Sequence, residues 1–289
     1  MTYKFNLLKI KGLIIVLLII FTGINIPCFS QGTDLSTYKS QIISKGITVY
    51  HLKSGPLFAD KQNVLVVRIN SRALRKYKPG IAWSDSTLKK TSRFAEDTRA
   101  IVALNGSFFD VEKGGSVAYL ESDGKIIARN RSSGEKWAKT DSLLNGAIVL
   151  NNSGRLKIEA AKSEQFYEQS NQESAVLVSG PVLLIDGQKV LLENSAFVHK
   201  RHPRSCLCET SDKSILFVAI DGRNENALGM NLEETQQFLQ KLNCKNAINL
   251  DGGGSTTLWV NDGKTKGILN NPSDKEGERP VSNIILIKK

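Results

Sequence analysis

Two short segments join a carboxylate to glycine: Asp221-Gly222-Arg223 and Asp251-Gly252-Gly253-Gly254-Ser255. A pair of carboxylates at neighbouring strand ends can act as general acid and base, or as nucleophile and acid, in transferring a sugar to water. The same hard oxygens could hold a divalent cation, so the residues alone leave a metal open. No organic cofactor is implied. Asp before Gly is also ordinary turn chemistry, and a single instance would carry little. Gly252, Gly253 and Gly254 offer backbone amides unobstructed by Cβ atoms, the makings of an anion nest. Ser255 and Thr256 add hydroxyl donors beside it. The spacing and the lysine of a nucleotide-binding P-loop are absent.

A second set is basic. Arg201-His202-Pro203-Arg204 places two guanidinium groups and an imidazole around a rigid proline, and Arg223 adds a third fork. Guanidinium pairs bidentately with phosphate oxygens. His202 is either a proton donor or an ordinary polar neighbour. Asn105, in Leu104-Asn105-Gly106-Ser107-Phe108-Phe109, could bond a sugar hydroxyl or a phosphate oxygen, and Phe108 or Phe109 could stack on a sugar ring. Ser179 and Gly180, in Ser179-Gly180-Pro181, complete the phosphate- and sugar-binding candidates, although glycine and proline there also punctuate two strands. His51 and His199 lack supporting context and are read as structural. No serine stands in a nucleophile elbow.

These groups need elements to hold them. Residues 214–220 form an apolar run of the kind buried on both faces, and residues 246–250 form a second. Between them, Asn231 followed by Glu234 has the pattern of a capping box, with Leu232, Phe238, Leu239 and Leu242 as an apolar stripe. Strand, helix, strand makes a βαβ unit with parallel strands. It would place Asp221 and Asp251 at carboxyl ends, where open α/β sheets bind ligands. Elsewhere the chain reads as strands joined by hairpins, over 47–52 and 63–70 for example. The turns are Ser122-Asp123-Gly124-Lys125, Asn152-Ser153-Gly154-Arg155, Ile185-Asp186-Gly187-Gln188 and Asn261-Asp262-Gly263. The expected class is therefore α/β, a strand-rich α+β arrangement. Its mixed sheet would combine antiparallel hairpins with a C-terminal βαβ unit carrying the site.

The first 30 residues read as a secretory signal. Lys4, Lys9 and Lys11 precede the apolar run 13–21, and Cys28-Phe29-Ser30 offers small residues for cleavage before Gln31. That run is short for a bilayer span, which needs about 20 residues, so no stable membrane span is expected after cleavage. Lipidation of Cys28 is the weaker alternative. The remainder, 31–289, is expected to be one domain, placed in the periplasm, the cell envelope or outside the cell. Loss of three lysines lowers the formal charge from +11 to +8. These charges are scattered and lack interleaved aromatic residues, which speaks against nucleic acid and leaves either anionic envelope polymers or phosphate-bearing glycans as partners, or a merely solvated basic surface. Of the remaining cysteines, Cys206 and Cys208 point the same way on one strand, and Cys244 could pair with either.

Taken in order, Asn105-Gly106-Ser107-Phe108-Phe109, Ser179-Gly180-Pro181, Arg201-His202-Pro203-Arg204, Asp221-Gly222-Arg223, Asn249-Leu250-Asp251-Gly252-Gly253-Gly254-Ser255 and Arg279-Pro280-Val281-Ser282-Asn283 resemble the phosphodiester glycosidase family over roughly residues 95–289. The resemblance implies hydrolysis of a sugar joined through its anomeric carbon to a phosphodiester. It implies Asp221 and Asp251 as the supporting carboxylates, with Arg204, Arg223 and the amides of 252–255 on the phosphate and Asn105 on the sugar. Two departures stand out: Ser107 replaces a second glycine, and Ser205-Cys206-Leu207-Cys208 replaces threonine and small apolar residues.

Overall fold

The computed structural model describes Leu35 and residues 38–289; the expected signal segment and Cys28 lie outside the described residues. Asp123 and Gly124, and likewise Asp186 and Gly187, have positive φ at both central turn positions. That conformation matches the twist of flanking antiparallel strands. Each of the four expected turns closes a hairpin: Leu120–Ser122 with Lys125–Ala128, Gly146–Asn151 with Leu156–Ala160, Val182–Ile185 with Gln188–Lys189, and Leu258–Asn261 with Lys266–Ile268.

Three sheets result. The largest has eight strands, in the order Lys39–Ser44, Ile47–Leu57, Asp60–Ile69, Ile215–Ile220, Arg204–Thr210, Cys244–Asn249, Val182–Ile185 and Gln188–Lys189. A five-stranded sheet centres on Glu173–Ser179, and another on Ala100–Asn105. Leu65, Val67, Leu104, Ile148, Leu177, Leu207, Phe217 and Ile285 meet in one core shared by all three sheets. The alternate residues Val64, Val66, Leu216, Val218 and Ile220 face the opposite way. There they pack under the helix Leu232–Lys241, through its buried Leu232, Phe238 and Leu239. Because successive side chains of a strand point to opposite faces, residues covered on both sides must be apolar throughout, as 215–220 are. Burying each large side chain of this kind contributes about 1.5–3 kcal/mol.

The strand-rich α/β class holds, as does the capping box: Asn231 accepts from the Glu234 N–H, and Glu234 reaches back to the Asn231 N–H. One detail differs. The strands Ile215–Ile220 and Cys244–Asn249 run in the same direction, but Arg204–Thr210 lies between them and pairs antiparallel with both. The helix therefore crosses over one intervening strand, and every ladder described is antiparallel. With strands about 4.8 Å apart, the chain at Asp221 and at Asp251 is separated by roughly 10 Å, so the two are not neighbours.

Cys244 pairs with Cys208, leaving Cys206 as a buried thiol. Burial pushes that thiol up to about 12, so it stays protonated. The disulfide joins positions 36 residues apart and, on loop-closure entropy, contributes about 3–4 kcal/mol. Replacing both partners with alanine should lower the urea midpoint by a matching amount while leaving the circular dichroism spectrum of the native state unchanged.

Candidate active site

Pro203 precedes the central strand and fills the space between the two carboxylate loops. A Cβ at Gly222 would lie 2.8 Å from Pro203 N, and one at Gly252 would lie 2.6 Å from Pro203 O. The register sets this up: Arg204 pairs with Ile220, and Leu250 N donates to Ser205 O. Both Asp-Gly segments therefore leave the sheet at the same end.

Asp221 is 1% exposed. Its carboxylate accepts from Asn270 Nδ2 at 3.1 Å, from the Asn271 N–H at 3.0 Å and from Asn63 Nδ2. With its amide nitrogen turned to Asp221, Asn63 takes a bond from His51 Nε2 at 2.8 Å through its oxygen. His51, read as an isolated structural residue, thus joins Asp221 through one intermediary. Asn270 also donates to Thr256 O and accepts from the Leu258 N–H, which couples Asp221 to the loop after Asp251. Burial raises the Asp221 pKa, against the pull of Asn270, Asn63 and Asn271. A cavity of about 250 Å³ opens beside it, lined by Lys53, Asn63, Asn224, Asn226 and Asn271.

Asp251 is placed differently. Its main chain is clamped, the N–H donating to Gly106 O at 3.0 Å and the C=O accepting from Asn105 Nδ2 at 2.6 Å. The residue is half-buried, and no side-chain donor meets its carboxylate with full hydrogen-bond geometry among the described residues. Burial raises its pKa, while Ser255, Lys139, Arg279 and the Gly252 N–H hold the rise back. Ser255 Oγ lies near Asp251 without reaching bonding geometry, and Thr256 Oγ1 and Thr257 Oγ1 are also buried without partners. Buried hydroxyls with no partner are uncommon in folded proteins, and here three occur in succession.

The glycine loop forms a tight turn, Gly253–Ser255, rather than an open nest. Gly253 N donates to Pro203 O, Ser255 N to Gly252 O and Thr256 N to Gly253 O. Two of the four amides expected to receive phosphate, those of Gly253 and Ser255, are thereby spent. The glycines serve close packing instead: a Cβ on Gly253 would sit 3.1 Å from Arg223 Nη2, and one on Gly254 would strike Asp274 Oδ1 and Arg279 Nη2. Arg279 is held by Asp274 in a forked pair at 2.8 and 3.0 Å.

Of the three nominated arginines, Arg223 alone is exposed at this loop. It lies 3.2 Å from His202 Nδ1. Guanidinium only donates, so Nδ1 accepts and the ring proton rests on Nε2. Burial, then the charges of Arg204, Arg223 and Lys200, lower the His202 pKa, leaving a neutral ring with an N–H to offer. Arg201 is engaged by Glu234, Asp60 and Phe58 O; it anchors the helix start, its charge already matched by two carboxylates. Arg204, 1% exposed, donates to the carbonyls of Met230, Phe197 and Lys200 with Phe197 4.9 Å from its guanidinium. Burial without a carboxylate brings it down to about 10, and it is a scaffold group.

Asn105 is fully buried. Its oxygen accepts from Ser205 Oγ and the Thr257 N–H, so every bond it makes is internal and it positions Asp251 instead of a sugar. Ser179 Oγ and Gly180 O bond Asn249, bracing the strand that leads to Asp251. Phe108 and Phe109 are both buried, leaving no aromatic face for a sugar ring. Ser107, the departure from the family pattern, fits: its Oγ donates to Val178 O and its N–H to Asn283 Oδ1. His199 is tied to Asn194 at the surface. Sequence reasoning missed Asn63, Asn270 and Lys139. An asparagine before a turn and a lysine in a loop carry no local signal of a partner far along the chain. Among the described residues, no group of three or more His, Cys, Asp or Glu side chains gathers as a metal site, and no helix is long and apolar enough to cross a membrane.

The Phosphodiester glycosidase family profile matches residues 98–288. The chain belongs to this family. Proteins named N-acetylglucosamine-1-phosphodiester alpha-N-acetylglucosaminidase are similar to it: that of Bos taurus is 28% identical over 61% of this chain, and that of Homo sapiens 29% over 61%. These matches cover 33% and 34% of the relatives, so the chain spans about a third of their length. The SPbeta prophage-derived uncharacterized protein YomE of Bacillus subtilis is 24% identical over 84% of the chain and 36% of its own. Among solved structures, the zebrafish N-acetylglucosamine-1-phosphodiester alpha-N-acetylglucosaminidase catalytic domain, auto-inhibited by its pro-peptide, has the same fold. Its TM-score is 0.65 at 20% identity, covering 90% of this chain and 86% of that one.

The two aspartates should separate in stability measurements. Asp221→Ala strands three donors and should cost about 3 kcal/mol in urea unfolding, whereas Asp251→Asn should stay within about 1 kcal/mol of the parent. Equal losses would show that Asp221 braces the loop no more than Asp251 does.

Proposed function

We propose that this protein hydrolyses the bond between the anomeric carbon of a sugar and a phosphodiester, releasing free sugar and a phosphomonoester. N-acetylglucosamine is the sugar suggested by the names of its relatives. The observation that carries the reading is the arrangement around residues 252–255. Asp251, whose carboxylate has no side-chain donor in full hydrogen-bond geometry among the described residues, opens this loop. Arg223, bonded to a neutral His202, packs against Gly253.

A phosphate monoester leaves readily, so the reaction asks less of a general acid than an ordinary glycoside does. Arg223 would pair with the phosphate oxygens and His202 Nε2–H would add a neutral donor, strengthening as charge gathers on the departing group. Ionised Asp251 would draw a proton from water or steady the cation-like anomeric carbon. Asp221, fully bonded and about 10 Å away along the sheet edge, would hold the loop. The carboxamides of the cavity beside it offer the paired donors and acceptors that sugar hydroxyls use. Export to the cell envelope or beyond, inferred from the first 30 residues, would bring the protein to phosphate-bearing glycans.

The purified protein should release sugar from UDP-N-acetylglucosamine or simple α-sugar phosphodiesters, with and without chelator. Asp251→Asn should abolish release, and Arg223→Ala should lower kcat/KM at least tenfold with no change in folding. Since burial raises the Asp251 pKa and the ionised form reacts, the rate should fall on acidification with a midpoint above the usual aspartate value of about 3.9. Normal turnover by Asp251→Asn would overturn the proposal. So would solvent oxygen appearing in phosphate instead of sugar, because that marks attack at phosphorus.

A further inference from the structure

The strands Arg204–Thr210 and Ile215–Ile220 have two ends. One delivers Arg204 and Asp221 to the candidate active site. The other, about 20 Å away at roughly 3.3 Å per residue, opens into a groove of about 430 Å³. Arg75, Lys78, Arg155 and Lys213 line it, against one carboxylate, Glu209. They come from separate places: the stretch before Lys78–Trp83, the hairpin turn at Gly154, and the turn between the two long strands. The Lys78 chain runs alongside Gly154, whose Cβ would lie 3.9 Å from Lys78 Cδ.

None of these four cations forms an ion pair within the described residues. Other arginines divide: Arg68, Arg129, Arg131 and Arg201 are paired with carboxylates, whereas Arg204 and Arg223 are bonded to other groups. Like charges drawn into one concavity repel, and low-dielectric walls focus their field outward into the groove. Tertiary structure that brings four unpaired cations together from three segments favours an anion there. A second lobe of about 380 Å³ continues past Arg155 and Glu209, where Lys157 and Lys162 are paired with Glu159 and Glu173 adds a further carboxylate. The unpaired cations are thus those of the first lobe, and a chain passing on would meet balanced charge. No aromatic side chain lines either lobe, so there is no platform on which nucleic-acid bases would stack.

We propose that this groove binds a linear glycan bearing phosphate groups, at a site separate from the candidate active site. The contact would hold the protein on such a polymer whether or not its sugar phosphates are cleaved.

The test is binding of the full protein to yeast phosphomannan, with neutral mannan and single-stranded DNA as comparisons, across a salt series. One variant carries Arg75→Gln, Lys78→Gln, Arg155→Gln and Lys213→Gln. Its control loses the same charge from exposed lysines outside the groove: Lys39→Gln, Lys90→Gln, Lys189→Gln and Lys264→Gln. Phosphomannan should bind in preference to mannan and to DNA, and the groove variant should bind at least tenfold more weakly with a shallower salt dependence. The control should stay within about threefold of the parent. Equal loss in the groove variant and its control would reduce the effect to net charge and overturn the site. DNA binding through the groove as tightly as phosphomannan would overturn the class of ligand. Unchanged phosphomannan binding in the groove variant would also overturn the site.

Discussion

The Asn105 carboxamide sits where the sheet built on Ala100–Asn105 meets the eight-stranded sheet, and it makes three bonds that no other group could replace together. Its nitrogen holds the Asp251 carbonyl, while its oxygen takes the Ser205 hydroxyl and the Thr257 amide. One planar group thereby fixes both ends of the glycine loop and the strand that runs beside it. In an enclosed setting such bonds are strong when complete and costly when broken. The next residue adds to the clamp, since Gly106 O accepts from Asp251 N while Gly106 N donates to Asn283 O. The Asp251 carboxylate can remain short of partners because its backbone is held so fully.

Asp221 completes the support from the other side. Asn270 links its carboxylate to Thr256 O, so the loop is tied at its start to Asn105 and at its end to Asp221. The two acidic groups thus divide their duties by environment. One is saturated with donors and builds the scaffold; the other is left short of them.

Local features were readable in the sequence. Hairpin turns at Asp123-Gly124 and Asp186-Gly187 depend on backbone conformations that neighbouring residues dictate, and the Asn231 cap depends on a side chain three residues away. The position of both Asp-Gly segments at one sheet end was readable as well, from two apolar runs and the helix between them. What the strand order added was the intervening segment 204–210, an effect of pairing across the whole chain that no window of residues reveals. The arginines show the same limit. Arg201, Arg204 and Arg223 are chemically alike in a sequence, yet an acidic cap, a ring with three carbonyls, and an open loop give them three different fates. Asn105 was read from the sequence as a ligand contact, but it is buried, and its partners Ser205 and Thr257 lie 100 and 152 residues away.

The glycine loop is enclosed by groups that belong to other segments: Pro203 against Gly252, Arg223 against Gly253, and the Asp274–Arg279 pair against Gly254. Over three consecutive positions it has no side chain of its own, and a methyl group at 252 or 254 would collide with a wall. The loop therefore has no raw material for diversification. Whatever distinguishes one member of this fold from another in the molecules it accepts has to be written in the walls, where residues can change without the loop itself being rebuilt.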